Sequence, residues 1–208
     1  MESSDSRHAR DPHDAIDVIK LNQVVTTPTG SYTYHQMHSA FWNKKDGALL
    51  KFTVSHHEAC GASYQQGLFQ KGIFHFTAHT YWQDRHDVRE SFEWSGSDWF
   101  HDELPVQLRR LVAGNLTPPK QINLWPGTLS SRAPVMKSQP AVLEIKTFTA
   151  RLRFEDGSGQ TLTFSPDWPH VLTEWKQQDG SSLKLLKTQR LDYWNFHQPG
   201  DEKRLRVP

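Results

Sequence analysis

The sequence predicts a mainly β protein, a curved antiparallel β-barrel or half-barrel with one short helix as a lid. Apolar and polar residues alternate with period two over several long segments, which is typical of strands. Asp-Gly pairs and glycine-bracketed loops separate these segments and favour hairpins. Eight tryptophans and eleven phenylalanines suit sheets whose aromatic residues pack across strands, or the walls of a ligand pocket.

Length and composition set the outline of the protein. At 208 residues the chain suits one β domain, which we place at residues 15–208. Residues 1–14 are polar and charged, and are predicted to be a disordered tail. The net charge of +1 without a basic run argues against a nucleic-acid partner. No apolar stretch approaches the roughly 20 residues of a transmembrane segment.

The expected location follows from the same features. A single cysteine excludes an internal disulfide, and the start of the chain lacks the apolar core of a signal peptide. We therefore expect a cytoplasmic protein. The bacterial envelope is the alternative if the natural gene encodes a leader.

The first three strands are predicted at residues 15–25, 31–42 and 48–55, separated by the turn sequences TTPTG and NKKDG. Residues 31–42 carry polar side chains on both faces, with Tyr34 on one and His35 on the other. A strand that is polar on both faces suits the wall of a cavity better than a simple sandwich.

The central stretch, residues 53–82, contains the only cysteine and four of the twelve histidines. Residues 73–82 alternate as a strand, and the preceding GLFQKG sequence suits a hairpin loop. A turn centred on Gln70 and Lys71 would place Gln66 opposite His75. The same register would direct one set of side chains onto a common surface, namely Glu58, Cys60, His75, His79 and Tyr81. A shift by one residue would turn the histidines to the reverse face.

The rest of the chain is predicted to contain one helix and a closing meander. The helix is capped by Ser97 or Asp98, becomes regular near Pro105 and stops at Gly114 after about Ala113. Its apolar stripe would pack on the sheet and consists of Leu104, Leu108, Leu111 and Val112. A strand at 88–94 precedes it; short edge strands within 120–140 and long strands at 141–155, 160–165, 171–177 and 181–194 follow.

Several segments resemble an uncharacterised bacterial β-rich family, many of whose members are predicted lipoproteins. They are VIKLN at 18–22, the Thr-Gly and Tyr pattern of 29–37, LKFTVSHHEACG at 50–61 and LDYWNFH at 191–197. The most specific part of this resemblance consists of Glu58, Cys60 and Gly61. The final meander, residues 151–186, also resembles the half-barrel of lipoprotein carriers. These resemblances imply a β-rich fold and no established activity.

Glu58 and Cys60 are the first candidates for chemistry. On a regular strand they share a face and lie about 6.6 Å apart. Because a neighbouring carboxylate disfavours a thiolate, general acid–base chemistry is favoured over a thiol nucleophile. The structural alternative is that Cys60 is a small buried residue and that Glu58 pairs with an arginine such as Arg89. The predicted catalytic set is Glu58, Cys60, His75 and His79.

No metal or cofactor is predicted. His75 and His79 are about 13 Å apart along a strand, too far to share one ion easily. Established zinc and iron spacings and a glycine-rich phosphate loop are missing from the sequence.

The preferred function is binding of a small polar or amphipathic organic molecule in a concave β cavity, as a cofactor-independent acid–base enzyme of a biosynthetic pathway. The alternatives are a non-catalytic lipid or small-ligand carrier, and a protein that acts as a homodimer or with a partner subunit. The predicted substrate-binding residues are Arg89, Tyr81, Gln66, Tyr34 and Trp94.

Overall fold

The computed structural model of the protein describes residues 15–85, 87–114 and 116–204. Strands hold 49% and helical residues 12%, which confirms the mainly β prediction. The tail predicted at residues 1–14 lies outside the described residues. The described residues form two compact units, the first drawn from 15–107 and 119–141 and the second from 108–118 and 142–204. A single domain over 15–208 stays a prediction.

The first unit is built on a six-stranded antiparallel sheet in which each strand pairs with the next along the chain. Short turns join the strands, as the alternating pattern and its Asp-Gly and Gly signals predict. The strands are β1 (Val18–Pro28), β2 (Thr33–Asn43), β3 (Leu49–Glu58), β4 (Gly61–Gln70), β5 (Ile73–His79) and β6 (Val88–Glu93).

Alternation along these strands gives the sheet one buried face, which we call the inner face, and one exposed face, the outer face. Large apolar side chains fill one end of the inner face and form the core of this unit. Ring contacts connect them, for example Phe52 to Phe74 and Phe100 at centroid distances of 5.9 and 5.1 Å. The fully buried members on the sheet include Ala40, Trp42, Phe52, Val54, Phe74 and Phe76.

The β4–β5 turn corrects the predicted register. It lies at Lys71 and Gly72, both with positive φ, one residue later than predicted. Gln66 therefore lies opposite Thr77, and His75 lies opposite Leu68. The displacement between partners is two residues, so each side chain keeps its predicted face but changes its neighbour.

After β6 the chain forms β7 (Asp98–Phe100), a 3-10 turn at His101–Glu103, helix α1 (Leu104–Val112) and β8 (Gln121–Trp125). The parallel β7–β8 pair was not predicted. Residues 98–100 are strand rather than helix because they pair with Asn123, Leu124 and Trp125 of β8. α1 is the one α-helix among the described residues, and the glycine that follows it, Gly114, has a φ of +78°.

The second unit contains most of β9 (Gln139–Lys146), followed by β10 (Thr149–Phe154), β11 (Gly159–Phe164), β12 (Leu172–Gln177) and β13 (Ser182–Lys184). These strands form a curled half-barrel sheet. The strand predicted over 141–155 is interrupted at Thr147, which has a φ of +54°. The last predicted strand shortens to three residues. None of the described helices is long and apolar enough to cross a membrane.

Candidate functional site

Polar side chains occupy the other end of the inner face in the first unit. His56 on β3 lies opposite Gln36 on β2 and Ser63 on β4. One row closer to the core, His38 and Gln65 lie on either side of the same β3 residue. Opposed side chains in such pairs have Cβ atoms about 4.5–5.5 Å apart. We call this region the polar end, and it comprises Gln36, His38, His56, Glu58, Ser63 and Gln65.

Three of these side chains are buried with polar atoms left unpaired. His56 is fully buried, and within the described part of the chain neither of its ring nitrogens has a hydrogen-bond partner. The same is true of Ser63 Oγ and Gln65 Oε1. A buried polar atom without a partner costs about 1–3 kcal/mol. Four of them in one patch are unusual for a purely structural core and favour a binding site.

The orientation of the Gln65 amide is fixed by its nitrogen. Nε2 donates to the backbone oxygens of Thr128 and Ser130, at 3.2 and 2.7 Å. Because both partners are acceptors, the nitrogen must face them and the oxygen must point away. The atom that Gln65 presents to a ligand is therefore an acceptor.

The two buried histidines of the polar end are neutral at pH 7. Burial lowers the pKa of His56 below its ordinary 6.5, and the Glu58 carboxylate opposes this shift. Burial likewise lowers the pKa of His38, against the opposing effect of Asp102. His38 differs in having a partner, since its Nδ1 lies 3.1 Å from Gln23 Oε1. His56 thus offers one N–H donor and one acceptor nitrogen.

Glu58 and Tyr81 form the edge of the polar end. The Tyr81 hydroxyl donates to Glu58 Oε2 at 2.7 Å, and burial together with this bond raises the pKa of Tyr81. Gly61, which pairs with Glu58, lies directly against the Tyr81 ring. A Cβ at Gly61 would come within 2.8 Å of that ring, and its φ is +152°. Only glycine permits this approach.

Cys60 lies in the exposed turn between β3 and β4. Its Sγ is 4.0 Å from the Tyr32 hydroxyl, which in turn is 3.1 Å from the Tyr34 hydroxyl. Hydrogen bonds to Tyr34 and Cys60 raise the pKa of Tyr32. The thiol is therefore grouped with Tyr32 and Tyr34 rather than with the buried patch.

Residues 127–134, which we call the covering loop, lie over the polar end. Besides the two carbonyls bound by Gln65, the loop receives hydrogen bonds from Trp82 and Arg85. Trp82 Nε1 donates to Ser131 Oγ at 3.2 Å. Arg85 donates to the carbonyls of Ala133 and Pro134, at 3.3 and 2.6 Å. Side-chain hydrogen bonds therefore connect this loop to Gln65 of the polar end and to residues 82 and 85.

Two buried carboxylates hold the structure beneath the loop. Asp102 Oδ2 accepts hydrogen bonds from the Thr128 backbone N–H and hydroxyl, at 2.6 and 2.7 Å. Glu103 accepts from Trp42 Nε1 at 2.7 Å and from the Phe100 N–H at 2.9 Å. Burial raises the pKa of Glu103 to about 7. These contacts are internal and structural.

The common surface predicted for Glu58, Cys60, His75 and His79 is not formed. Glu58 follows His56 by two residues and lies on the inner side at the end of β3. His75 and His79 lie on the outer face, where their Nδ1 atoms are each 2.9 Å from Ser91 Oγ and Asp87 Oδ1, respectively. The cause is the turn after Glu58, which ends the strand before Cys60.

The predicted binding residues are also dispersed. Gln66 and Arg89 are both opposite Thr77 on the outer face. Trp94 packs in the core, with its ring centroid 5.0 Å from that of Phe74 and 5.1 Å from that of Phe100. Tyr81 and Tyr34 lie at the edge of the polar end. The catalytic and binding roles assigned to all these residues stay predictions.

The sequence prediction missed His56, Ser63 and Gln65 as a group. A signal was present, because strand alternation puts His56 on the same face as the apolar Phe52 and Val54. A polar residue at an apolar phase of a strand marks either a polar core pair or a site. Without the register of β3 and β4, the sequence could not show that these three residues are neighbours.

Comparisons of the chain with protein families, with curated proteins and with solved structures found no match. The resemblance to bacterial β-rich proteins and to lipoprotein carriers stays a prediction. Across the residues that the structure describes, no group of three or more His, Cys, Asp or Glu side chains is placed to hold a metal ion.

Proposed function

We propose that this chain binds a small polar organic molecule at the polar end of the inner face, beneath the covering loop, and that His56 acts there as a general base. The observation that carries the proposal is the set of four buried, unpaired polar atoms on His56, Ser63 and Gln65. A ligand that pairs with them would recover the cost of their burial. A few convergent polar groups beside an apolar core are the usual composition of a small-molecule site.

The base role belongs to His56 rather than to Glu58. A neutral imidazole can take a proton at neutral pH, and burial keeps His56 neutral. Glu58 already accepts a hydrogen bond from Tyr81. Its carboxylate favours the protonated imidazole and so would stabilise the imidazolium formed during proton transfer.

The carrier alternative receives less support. It expects aromatic side chains to line an apolar cavity, whereas Phe52 and Phe74 on the inner face of the first unit pack against each other and against Phe100. The partner-subunit alternative stays a prediction; Trp168 and Trp194 in the second unit are 72% and 61% exposed. We propose a cytoplasmic location for the protein, because the free, exposed thiol of Cys60 suits a reducing environment.

Ligand-observed NMR with the full chain and a library of small polar metabolites tests the proposal. Compounds that bind the wild-type protein should give no binding signal with the His56→Leu variant, because the substitution removes the donor and acceptor of the imidazole. His57→Leu is the matched control, since His57 is the next residue along the strand and is exposed on the outer face. Circular dichroism of each variant verifies that the fold is retained.

Two results would refute the proposed function. One is that no compound of the library binds the wild-type protein. The other is that the compounds bind His56→Leu and Ser63→Ala as well as they bind the wild type, which would put their site elsewhere on the molecule.

A further inference from the structure

The unpaired atoms of the polar end specify what a ligand must bring. Gln65 Oε1 is only an acceptor, because the amide nitrogen is committed to two carbonyls. A neutral His56 presents one further acceptor nitrogen and one N–H donor. Ser63 Oγ can donate or accept. A ligand that satisfies all of them must supply at least two hydrogen-bond donors and at least one acceptor.

The charged groups near His56 restrict the chemical class of the ligand further. The charged groups that influence His56 are the Glu58 carboxylate and His57, and His57 lies on the outer face. Of these two groups, the Glu58 carboxylate is the one on the ligand's side of the sheet. An anionic ligand would meet this charge and the Gln65 carbonyl oxygen together, which is unfavourable in a buried setting.

The neighbouring arginines are engaged in other contacts. Arg85 donates to two carbonyls of the covering loop. Arg132 stacks on the Trp82 ring, 4.3 Å from its centroid, and pairs with Asp84 at 3.4 Å. Arg89, one of the predicted substrate-binding residues, is exposed on the outer face. Within the described residues, these contacts of Arg85 and Arg132 are with groups outside the polar end.

From these contacts we infer that the group bound at the polar end supplies several hydrogen-bond donors and at least one acceptor and carries no negative charge: an amide or a urea-like group, and not a carboxylate or phosphate. The inference rests on the proposed function, whose site it uses. It assigns the class of substrate that the site selects.

Three probes of nearly equal size and shape separate the effect of charge from that of fit. Acetamide is neutral, acetamidinium is a cation and acetate is an anion. Each is titrated at millimolar concentration into the full chain at pH 7.5, while the imidazole resonances of His56 are followed by NMR. We expect acetamide to shift His56 with a dissociation constant at least about tenfold lower than that of acetate, a difference of about 1.4 kcal/mol. Acetamidinium, which has donors but no acceptor for the His56 N–H, should bind more weakly than acetamide.

Two serine variants test whether the probes bind at the polar end. Ser63→Ala should weaken acetamide binding about fivefold, because it removes a buried donor and acceptor. Ser55→Ala is the control, since Ser55 is on the outer face of the neighbouring strand. Both substitutions are small enough to leave the sheet intact.

The outcomes are distinct. If acetate shifts His56 as strongly as acetamide does, the assignment of ligand class is overturned while the site itself stands. If none of the three probes shifts His56, or if Ser63→Ala binds acetamide as the wild type does, the inference and the proposed site fall together.

Discussion

The apolar core leaves no space for a methyl group at Gly67. A Cβ at this position would come within 2.6 Å of the Phe74 ring and would also meet the Phe52 ring. We expect Gly67→Ala to lower the free energy of unfolding by about 1–3 kcal/mol, the usual cost of overpacking. Urea denaturation measures this. Gly30→Ala, where no atom lies within 4 Å of the added carbon, is the control and should change stability far less.

Burial of neutral His56 makes stability depend on pH. Its pKa is below 6.5 in the folded state and ordinary when unfolded, so the unfolded chain takes up its proton first as the pH falls. The stabilising contribution is complete above about pH 6.5 and is lost as the pH falls through the folded pKa. His56→Leu should therefore show a smaller loss of stability between pH 7 and pH 5 than the wild type.

Chemical denaturation at the two pH values measures this difference. His38 has a pKa shifted in the same direction and remains in the variant, so part of the pH dependence persists. His57→Leu, on the outer face, should keep the wild-type dependence. Equal pH dependence in His56→Leu and the wild type would show that the imidazole is not buried in its neutral form.

Among the elements, the covering loop depends on one carboxylate. Asp102 binds both the backbone N–H and the hydroxyl of Thr128. Thr128→Val keeps the shape and removes one donor to a buried charge, at a cost of about 1–3 kcal/mol. Hydrogen exchange should become faster in residues 127–134. Ser130→Ala, at an exposed position of the same loop, should leave exchange near Thr128 unchanged, and equal exchange in both variants would contradict this role.

The turn that leads into helix α1 carries an opposite pH dependence. The folded pKa of Glu103, about 7, exceeds its ordinary 4.5, so its stabilising contribution is present below pH 4.5 and lost as the pH rises through about 7. Glu103→Gln removes this titration. The stability of the wild type relative to the variant should therefore decline from pH 4.5 to pH 8 in thermal unfolding. A constant difference would show that Glu103 does not titrate in this range.

Strands and turns could be predicted from the sequence where local signals decide them. The alternation of residues 31–42, the Asp-Gly turn before β3 and the Gly114 stop are local, and the structure has an element or a turn at each place. The ends of strands depend on tertiary contacts. β3 ends at Glu58 and β4 begins at Gly61, where the Tyr81 ring leaves no room for a Cβ, and no local pattern in the sequence predicts this contact.

The candidate site was less predictable than the fold for the same reason. His56, Ser63 and Gln65 meet only through the β3–β4 register, and the loop that covers them comes more than 60 residues later in the chain. The sequence alone drew attention to residues 53–82, which include these three residues, but to the β4–β5 hairpin and to histidines on its outer face. The reactive-looking residues His75 and His79 proved to be exposed strand positions with local partners.

The molecule as a whole combines an antiparallel sheet whose inner face is divided into an apolar core and a polar end with a second unit that is a curled half-barrel. The apolar core stabilises the first unit. The polar end carries groups whose burial opposes folding unless a ligand pairs with them. Stability lost in this way at a few positions is characteristic of functional sites.

A crystal structure of the full chain soaked in acetamide tests this account most directly. The account predicts the amide between His56, Ser63 and Gln65, with its nitrogen within hydrogen-bond distance of Gln65 Oε1 and the covering loop in place above it. Acetamide bound only at other surfaces, with the His56 nitrogens and Ser63 hydroxyl paired to protein groups, would contradict the account.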